Sequence, residues 1–103
     1  MAFSLIYVTH ADKESATTLI SLLLKEKLIA CGNAFPITSA YWWDGDINNE
    51  DEWVSLLKTT NEKWSTAEQR ITEVHPYEVP CIMRMSVEAN GPYEKWIRQE
   101  VEQ

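Results

Sequence analysis

The sequence contains little cysteine and no long apolar run. Only two cysteines, Cys31 and Cys81, occur in 103 residues, which is too few for the disulfide framework of a small secreted protein. No apolar run approaches the roughly 20 residues that span a bilayer. The first residues, Met1 to Leu5, include no basic segment and no small-residue cleavage signal, so export is not indicated. We therefore expect a cytoplasmic protein that has no membrane partner.

Basic residues are also scarce. The chain has 9 Lys and Arg against 16 Asp and Glu, a formal net charge of −7. This charge disfavours a nucleic-acid partner, because the phosphate backbone would repel it, and it is compatible with cations. The sequence shows no nucleophile motif, phosphate-binding loop or Ser-His-Asp pattern. We expect a protein that is not an enzyme and that requires no cofactor.

Tryptophan, in contrast, is abundant. The length and the hydrophobic fraction of 45% suit one globular domain, residues 1–103. Five tryptophans are many for so small an interior, and three of them, Trp42, Trp43 and Trp53, flank one predicted turn. Exposed aromatic surface usually marks an interface. The sequence therefore favours an oligomer.

Hydrophobic periodicity predicts four strands. The second has two extended runs, with Gly32 and Pro36 between them suggesting an irregularity or a sheet edge. The Asp44-Gly45-Asp46 turn joins it to the third strand. The extended segments are Ser4–Thr9, Ile29–Cys31 with Thr38–Trp43, Trp53–Thr59 and Val79–Val87.

Three helices are predicted between and after these strands. Asp12 and Asn61 are the expected N-caps of the first two, and Asn90-Gly91-Pro92 opens the third. Each helix has one apolar face. The faces are Ala16, Leu19, Ile20, Leu23 and Leu24; Trp64, Ala67, Ile71 and Val74; and Tyr93, Trp96, Ile97 and Val101.

The resulting order, β-α-β-β-α-β-α, predicts an α+β fold. Two split β-α-β units give a ferredoxin-like sandwich, an antiparallel sheet with helices on one face and an extra C-terminal helix. The other face would be left bare and rich in aromatic residues. We expect another copy of the chain to cover it.

Several segments together resemble the CutA divalent-cation tolerance proteins, over essentially the whole chain. The two most specific are Tyr41-Trp42-Trp43-Asp44-Gly45 in the hairpin and His75-Pro76-Tyr77-Glu78-Val79-Pro80 after the second helix. Others are Tyr7-Val8-Thr9, Leu24–Cys31, Leu57-Lys58-Thr59-Thr60, and Tyr93 with Trp96 in the last helix.

The resemblance implies a ferredoxin-like fold, a tightly packed homotrimer and a cytoplasmic role in tolerance of copper and other divalent cations. It also implies a copper site formed by a cysteine on the first strand and by histidines at the His-Pro-Tyr segment. In this chain Val8 stands at the cysteine position and Val74 precedes His75, so only His75 of that ligand set is present.

The predicted topology brings His10, the Asp44–Glu52 segment and His75 toward one end of the sheet. Imidazole suits copper, zinc or nickel, and carboxylates can complete the shell, so His75 and His10 are the candidate metal ligands. Both also fit structural roles, His10 as a solvated loop residue and His75 as a cation or hydrogen-bonding group at a helix end.

Five further residues are expected to line an intersubunit cleft, although fixing a hairpin across the interface would equally explain them. They are Tyr41, Trp43, Lys58, Tyr77 and Glu78. Cys31 and Cys81 are predicted to be buried free thiols on nonadjacent strands. Met83 and Met85 are predicted to be core residues rather than soft metal ligands.

Three functions remain open. The first is a trimeric protein that binds or responds to divalent cations such as copper. The second is a regulatory trimer that binds a small anionic metabolite at its intersubunit clefts, by analogy with the PII signalling proteins. The third is a structural assembly module whose trimer is the functional object.

Overall fold

The computed structural model describes residues 2–102. Strands alternate with helices in the predicted order, and a short 3₁₀ turn, Asn61–Lys63, precedes the second helix. The elements are β1 (Phe3–His10), α1 (Lys13–Lys25), β2 (Cys31–Trp43), β3 (Asp46–Thr59), α2 (Trp64–Val74), β4 (Ile82–Val87) and α3 (Gly91–Val101).

The four strands form one antiparallel sheet in the order β2-β3-β1-β4. Neighbouring strands are held in register by pairs such as Tyr7 with Leu56 and Tyr7 with Met83. β2 and β4, which complete the two β-α-β units, lie at the edges of the sheet, as two interlocked units require. The predicted ferredoxin-like α+β fold is confirmed.

The main core lies between the sheet and helices α1 and α2. Alternate residues of β1 point to this side, so Ile6 and Val8 are fully buried while Tyr7 between them is not. Leu23 of α1 and Ile71 of α2 fill the space opposite, both with no exposed surface. The core cluster is Ile6, Val8, Leu19, Leu23, Leu28, Ile29, Leu57, Ala67 and Ile71.

The C-terminal helix packs on the other face of the sheet. Phe3 lies beside Val87 on that face and contacts Ile97 and Val101 of α3 in a second, smaller cluster. The sequence suggested that this face would be bare, but α3 covers one end of it. The uncovered part includes Phe35, Met83 and Met85, with 36%, 49% and 45% of their surface exposed. The prediction that the two methionines are core residues is wrong for the single chain.

Strands β2 and β3 continue beyond the rest of the sheet as a two-stranded arm. Trp53 pairs with His10, the last residue of β1, and β3 extends from there back to Asp46. Seven residues of strand span roughly 23 Å. Asp44 and Gly45 close the arm, with φ of 51° and 83°, and these positive angles fit the two-residue turns that match strand twist. The predicted turn is confirmed.

Several predicted boundaries need correction. β2 runs without interruption from Cys31 to Trp43, β3 begins at Asp46 rather than at Trp53, and β4 begins at Ile82 rather than at Val79. Asp12 caps α1 as predicted, since its carboxylate accepts from the Ser15 N–H at 2.8 Å.

The second cap was assigned to the wrong residue. The Thr60 hydroxyl accepts from the Lys63 N–H at 3.3 Å. The Asn61 amide oxygen instead accepts from Ser4 and Arg84. Within residues 2–102, no helix is long and apolar enough to cross a membrane.

Candidate functional site

The structure brings His10 and His75 into direct contact. His10 ends β1, and His75 follows the last turn of α2, where Pro76 prevents the helix from continuing. Their rings are stacked, with centroids 5.2 Å apart and an interplanar angle of 21°. The predicted meeting of the two histidines at one end of the sheet is therefore seen.

His10 is a buried, fully hydrogen-bonded residue rather than a solvated one. Only 1% of its surface is exposed. Its Nδ1 lies 3.0 Å from the Ser15 hydroxyl and its Nε2 lies 2.8 Å from the Ser55 hydroxyl. Burial, with the neighbouring His75, lowers the pKa of His10 to about 4, against the opposing influence of Asp12 and Glu52. The ring is therefore neutral at pH 7.

His75 also has both ring nitrogens engaged. Its Nε2 lies 2.8 Å from the carbonyl oxygen of Thr9 and must donate there, so Nε2 carries the proton. Its Nδ1 then accepts from the Tyr77 N–H at 3.1 Å. These two bonds fix the tautomer and join the end of α2 to β1.

The histidine pair does not present a ready metal site within one chain. A metal needs a free lone pair on nitrogen, and that of His75 Nδ1 is used by Tyr77. Across residues 2–102, no group of three or more His, Cys, Asp or Glu side chains is placed to hold a metal ion. In the same range, every buried side-chain nitrogen or oxygen has a hydrogen-bond partner.

Tyr77 connects the histidines to the hairpin arm. Its ring packs edge-on against His75, with centroids 4.8 Å apart, and its hydroxyl donates to Glu52 at 2.8 Å. Burial and the Glu52 carboxylate raise the pKa of Tyr77, so the phenol keeps its proton. Glu52 itself is only 6% exposed.

An open cavity of about 960 Å³ lies between the arm and the segment that follows His75. Four of the five predicted cleft residues line it: Tyr41, Trp43, Tyr77 and Glu78. Glu50 and Glu52 also line it, which the sequence reasoning had not assigned. They are two residues apart on β3 and so share a face, but this placement follows only from a strand that begins at Asp46, which the sequence did not indicate.

Lys58, the fifth predicted cleft residue, lies elsewhere. Its ammonium group donates to the Asn33 side chain and lies 3.7 Å from the Cys31 sulfur. Among the described residues, the cavity lining contains no Lys, Arg or His. The cavity therefore offers an anionic ligand no cationic side chain to pair with.

Both cysteines are free thiols, at opposite edges of the sheet and half-buried rather than buried as predicted. Cys31 begins β2, and Cys81 lies just before β4 on the wall of the cavity. Burial, with the Glu52 charge, raises the pKa of Cys81.

We expect both thiols to be alkylated under non-reducing, denaturing conditions, because β3 and β1 separate the strands that carry them. Mass spectrometry of the alkylated protein checks this. An unlabelled, bridged Cys31–Cys81 pair would contradict the strand order.

Known proteins align with the chain over nearly its whole length. Residues 4–100 match the family model described as CutA1 divalent ion tolerance protein. A divalent-cation tolerance protein CutA from Pyrococcus horikoshii is 42% identical over 97 residues, which cover 93% of this chain and 95% of the relative.

Two solved structures show the same fold. CutA1 from Ehrlichia chaffeensis superposes with a TM-score of 0.92 at 38% identity, covering 96% of this chain and 94% of that one. CutA from Archaeoglobus fulgidus, described as periplasmic, superposes with a TM-score of 0.92 at 34% identity, covering 96% of this chain and 98% of that one.

Proposed function

The chain belongs to the CutA1 family of divalent ion tolerance proteins, and we propose that it serves this role in the cytoplasm as a homotrimer that binds divalent cations such as copper. The family is named for tolerance of ions rather than for a reaction. The net charge of −7 favours cations over nucleic acid. Two free thiols suit a reducing compartment.

The homotrimer is supported most by the uncovered part of the second sheet face. Phe35 on β2 and Met83 and Met85 on β4 leave a third to a half of their surface in water there, and exposed large apolar side chains on one face of a sheet favour an interface. Both edge strands, β2 and β4, also have open backbone groups on one side. A head-to-tail contact between unlike edges of successive copies closes into a ring when the rotation allows it.

Metal binding at His75 would need a change in its hydrogen bonds and further donors from elsewhere, either in the same chain or in a neighbouring copy. His75 is the ligand that the family resemblance leaves, and its Nδ1 becomes available only when the Tyr77 N–H moves away from it. Tyr77 lies in a segment without regular secondary structure, between α2 and β4, where such a movement costs least. The remaining donors would come from carboxylates such as Glu50 or Asp51, or from a neighbouring copy.

The test is a calorimetric titration of the wild type and of His75→Ala with copper. Sedimentation checks that both proteins assemble in the same way. We expect His75→Ala to weaken copper binding at least about tenfold, because a ligand is lost. Binding by the wild type should also weaken on acidification, since protons compete for the imidazole lone pair.

His10→Ala is the matched control, because the serine hydroxyls hold both nitrogens of that ring inside the fold. It should change copper affinity much less than His75→Ala. Equal copper affinity in His75→Ala and the wild type would exclude His75 as the ligand. A stable trimer that binds no divalent cation would favour the structural assembly function.

A further inference from the structure

The segment between α2 and β4 is held by few backbone contacts. Residues 76–80, here called the strap, follow His75 and have no regular secondary structure. Proline stands at both ends of the strap and has no N–H to donate. Among the described residues, no backbone-to-backbone hydrogen bond outside the helices and strands includes a strap residue. Side-chain contacts must therefore keep the strap in place.

Three contacts of Tyr77 anchor the strap. Its N–H donates to Nδ1 of His75 at 3.1 Å, and its ring packs edge-on against the imidazole. Its hydroxyl donates to the Glu52 carboxylate at 2.8 Å, at the base of the arm. The first two contacts cover His75, and the third ties Tyr77 to a different element. His75 can therefore accept a new ligand at Nδ1 only after Tyr77 has moved.

Glu52 is a fixed point for this third contact. It pairs with Ile37 of β2, and its neighbour Trp53 pairs with His10, the last residue of β1. Only 6% of its surface is exposed, and a buried carboxylate is costly unless it is hydrogen-bonded. A hydrogen bond to an ionised acceptor contributes more to stability than one between neutral groups. The bond to Glu52 is therefore the strongest of the three anchors.

We propose that the hydrogen bond between Tyr77 and Glu52 is a latch that keeps the strap closed over His75 and so limits the access of a divalent cation to its Nδ1. Glu52 is then a positioning residue that acts on His75 through Tyr77. The consequence for metal ions rests on the function proposed above, whereas the latch itself does not. A ligand that binds only the open strap has its apparent affinity reduced by the fraction of chains that are open.

The test is amide hydrogen exchange of the assembled protein, followed by NMR in buffer that contains EDTA so that metal ions play no part. The N–H at position 77 exchanges only when it leaves Nδ1 of His75, so its rate reports the opening of the strap. Tyr77→Phe should accelerate this exchange at least about tenfold, because the bond to a charged acceptor is lost. Glu52→Gln keeps an oxygen that can accept the hydroxyl, so it should accelerate the exchange only about two- to threefold.

Tyr41→Phe is the matched control. It removes the same hydroxyl group from a tyrosine that interacts with the nearby Glu50 but lies on β2 rather than on the strap. It should change the exchange at position 77 less than about twofold, because separate segments open independently. The His75 N–H is the internal reference, since it donates to the Ile71 carbonyl at 2.9 Å and reports the end of α2. If Tyr77→Phe does not assemble, Glu52→Gln decides at the same amide.

The copper titration connects the latch to the metal site. Where copper binding by the wild type depends on His75, Tyr77→Phe should strengthen it by up to about tenfold, the factor by which the open fraction increases. Copper binding that is lost in His75→Ala but is not strengthened in Tyr77→Phe would show that the latch does not control the site.

The exchange experiment can overturn the latch without reference to copper. Unchanged exchange at position 77 in Tyr77→Phe would do so, and so would equal acceleration at position 77 and at His75, which would mean that the whole region loosens. If the exchange accelerates as expected while His75→Ala binds copper as tightly as the wild type, the latch stands and the proposed metal site fails.

Discussion

Replacement of both Trp42 and Trp43 by alanine is expected to dissociate the assembly into monomers or to unfold it. In the single chain these two indoles keep 70% and 50% of their surface exposed. They lie next to each other on β2, so they occupy opposite faces of the arm, and no helix of the same chain covers either. Truncation of a large buried aromatic side chain to alanine commonly costs about 3–5 kcal/mol.

Sedimentation velocity across a dilution series measures this effect. The wild type should remain trimeric on dilution, whereas the double variant should sediment as a monomer or lose its near-ultraviolet circular dichroism. Trp96→Ala is the control, since Trp96 is 41% exposed on α3 and packs beside Tyr93 within its own chain. It should leave the assembly intact. A wild-type protein that sediments as a stable monomer would remove the basis of the proposed homotrimer.

The topology could be predicted from the sequence because apolar periodicity directly reports which face of each element is buried. The lengths of the strands could not be predicted in this way, and β2 is an example. Pro36 suggested an interruption, but β2 is an edge strand. Proline lacks an N–H, and an edge strand tolerates it where the N–H would point away from the sheet, because no hydrogen bond to the neighbouring strand is lost. Gly32 is required by close packing rather than by a break, since a Cβ there would lie 2.8 Å from the Ile20 side chain of α1.

Residues 46–52, which are polar except for Ile47, were missed as strand for a related reason. The arm leaves the body of the protein, so all of these residues except the buried Glu52 lack a core face, and the segment lacks the apolar alternation that a core imposes. Pairing with β2 holds them extended. Apart from the Asp44-Gly45 turn, nothing in the sequence of this segment indicates that it pairs with β2.

The sequence predicted that His10 and His75 lie near each other, but it did not predict their hydrogen bonds. Topology alone places the ends of β1 and α2 together, so the approach of His10 and His75 followed from the element order. Their hydrogen bonds depend on Ser55, 45 residues from His10, and on Thr9, 66 residues from His75. Which way a side chain such as Lys58 turns is likewise set by distant neighbours, here Asn33 and Cys31.

Acidification from pH 6.5 to pH 4 is expected to destabilise the fold by up to about 3 kcal/mol through His10 alone. The ring is buried, its nitrogens are bonded to Ser15 and Ser55, and His75 is stacked on it, so the folded chain resists protonation. The pKa of His10 is about 4 in the folded chain, against an ordinary value of 6.5 in the unfolded chain. The unfolded state therefore binds a proton first, and each pKa unit of difference corresponds to about 1.4 kcal/mol.

The sign of this effect follows from the lowered pKa. The contribution of His10 to stability is fully present above pH 6.5, declines as the pH falls toward 4, and changes no further below that value, where both states are protonated. Urea unfolding at a fixed protein concentration, repeated at intervals between pH 7.5 and pH 4, measures it. His10→Gln is the control, because an amide can still bond one of the serines but does not titrate. This variant should be less stable than the wild type at pH 7.5 and should lose less stability on acidification. Parallel pH profiles for the two proteins would show that His10 is protonated as easily in the folded chain as in the unfolded one, and that the stacked pair does not resist acid.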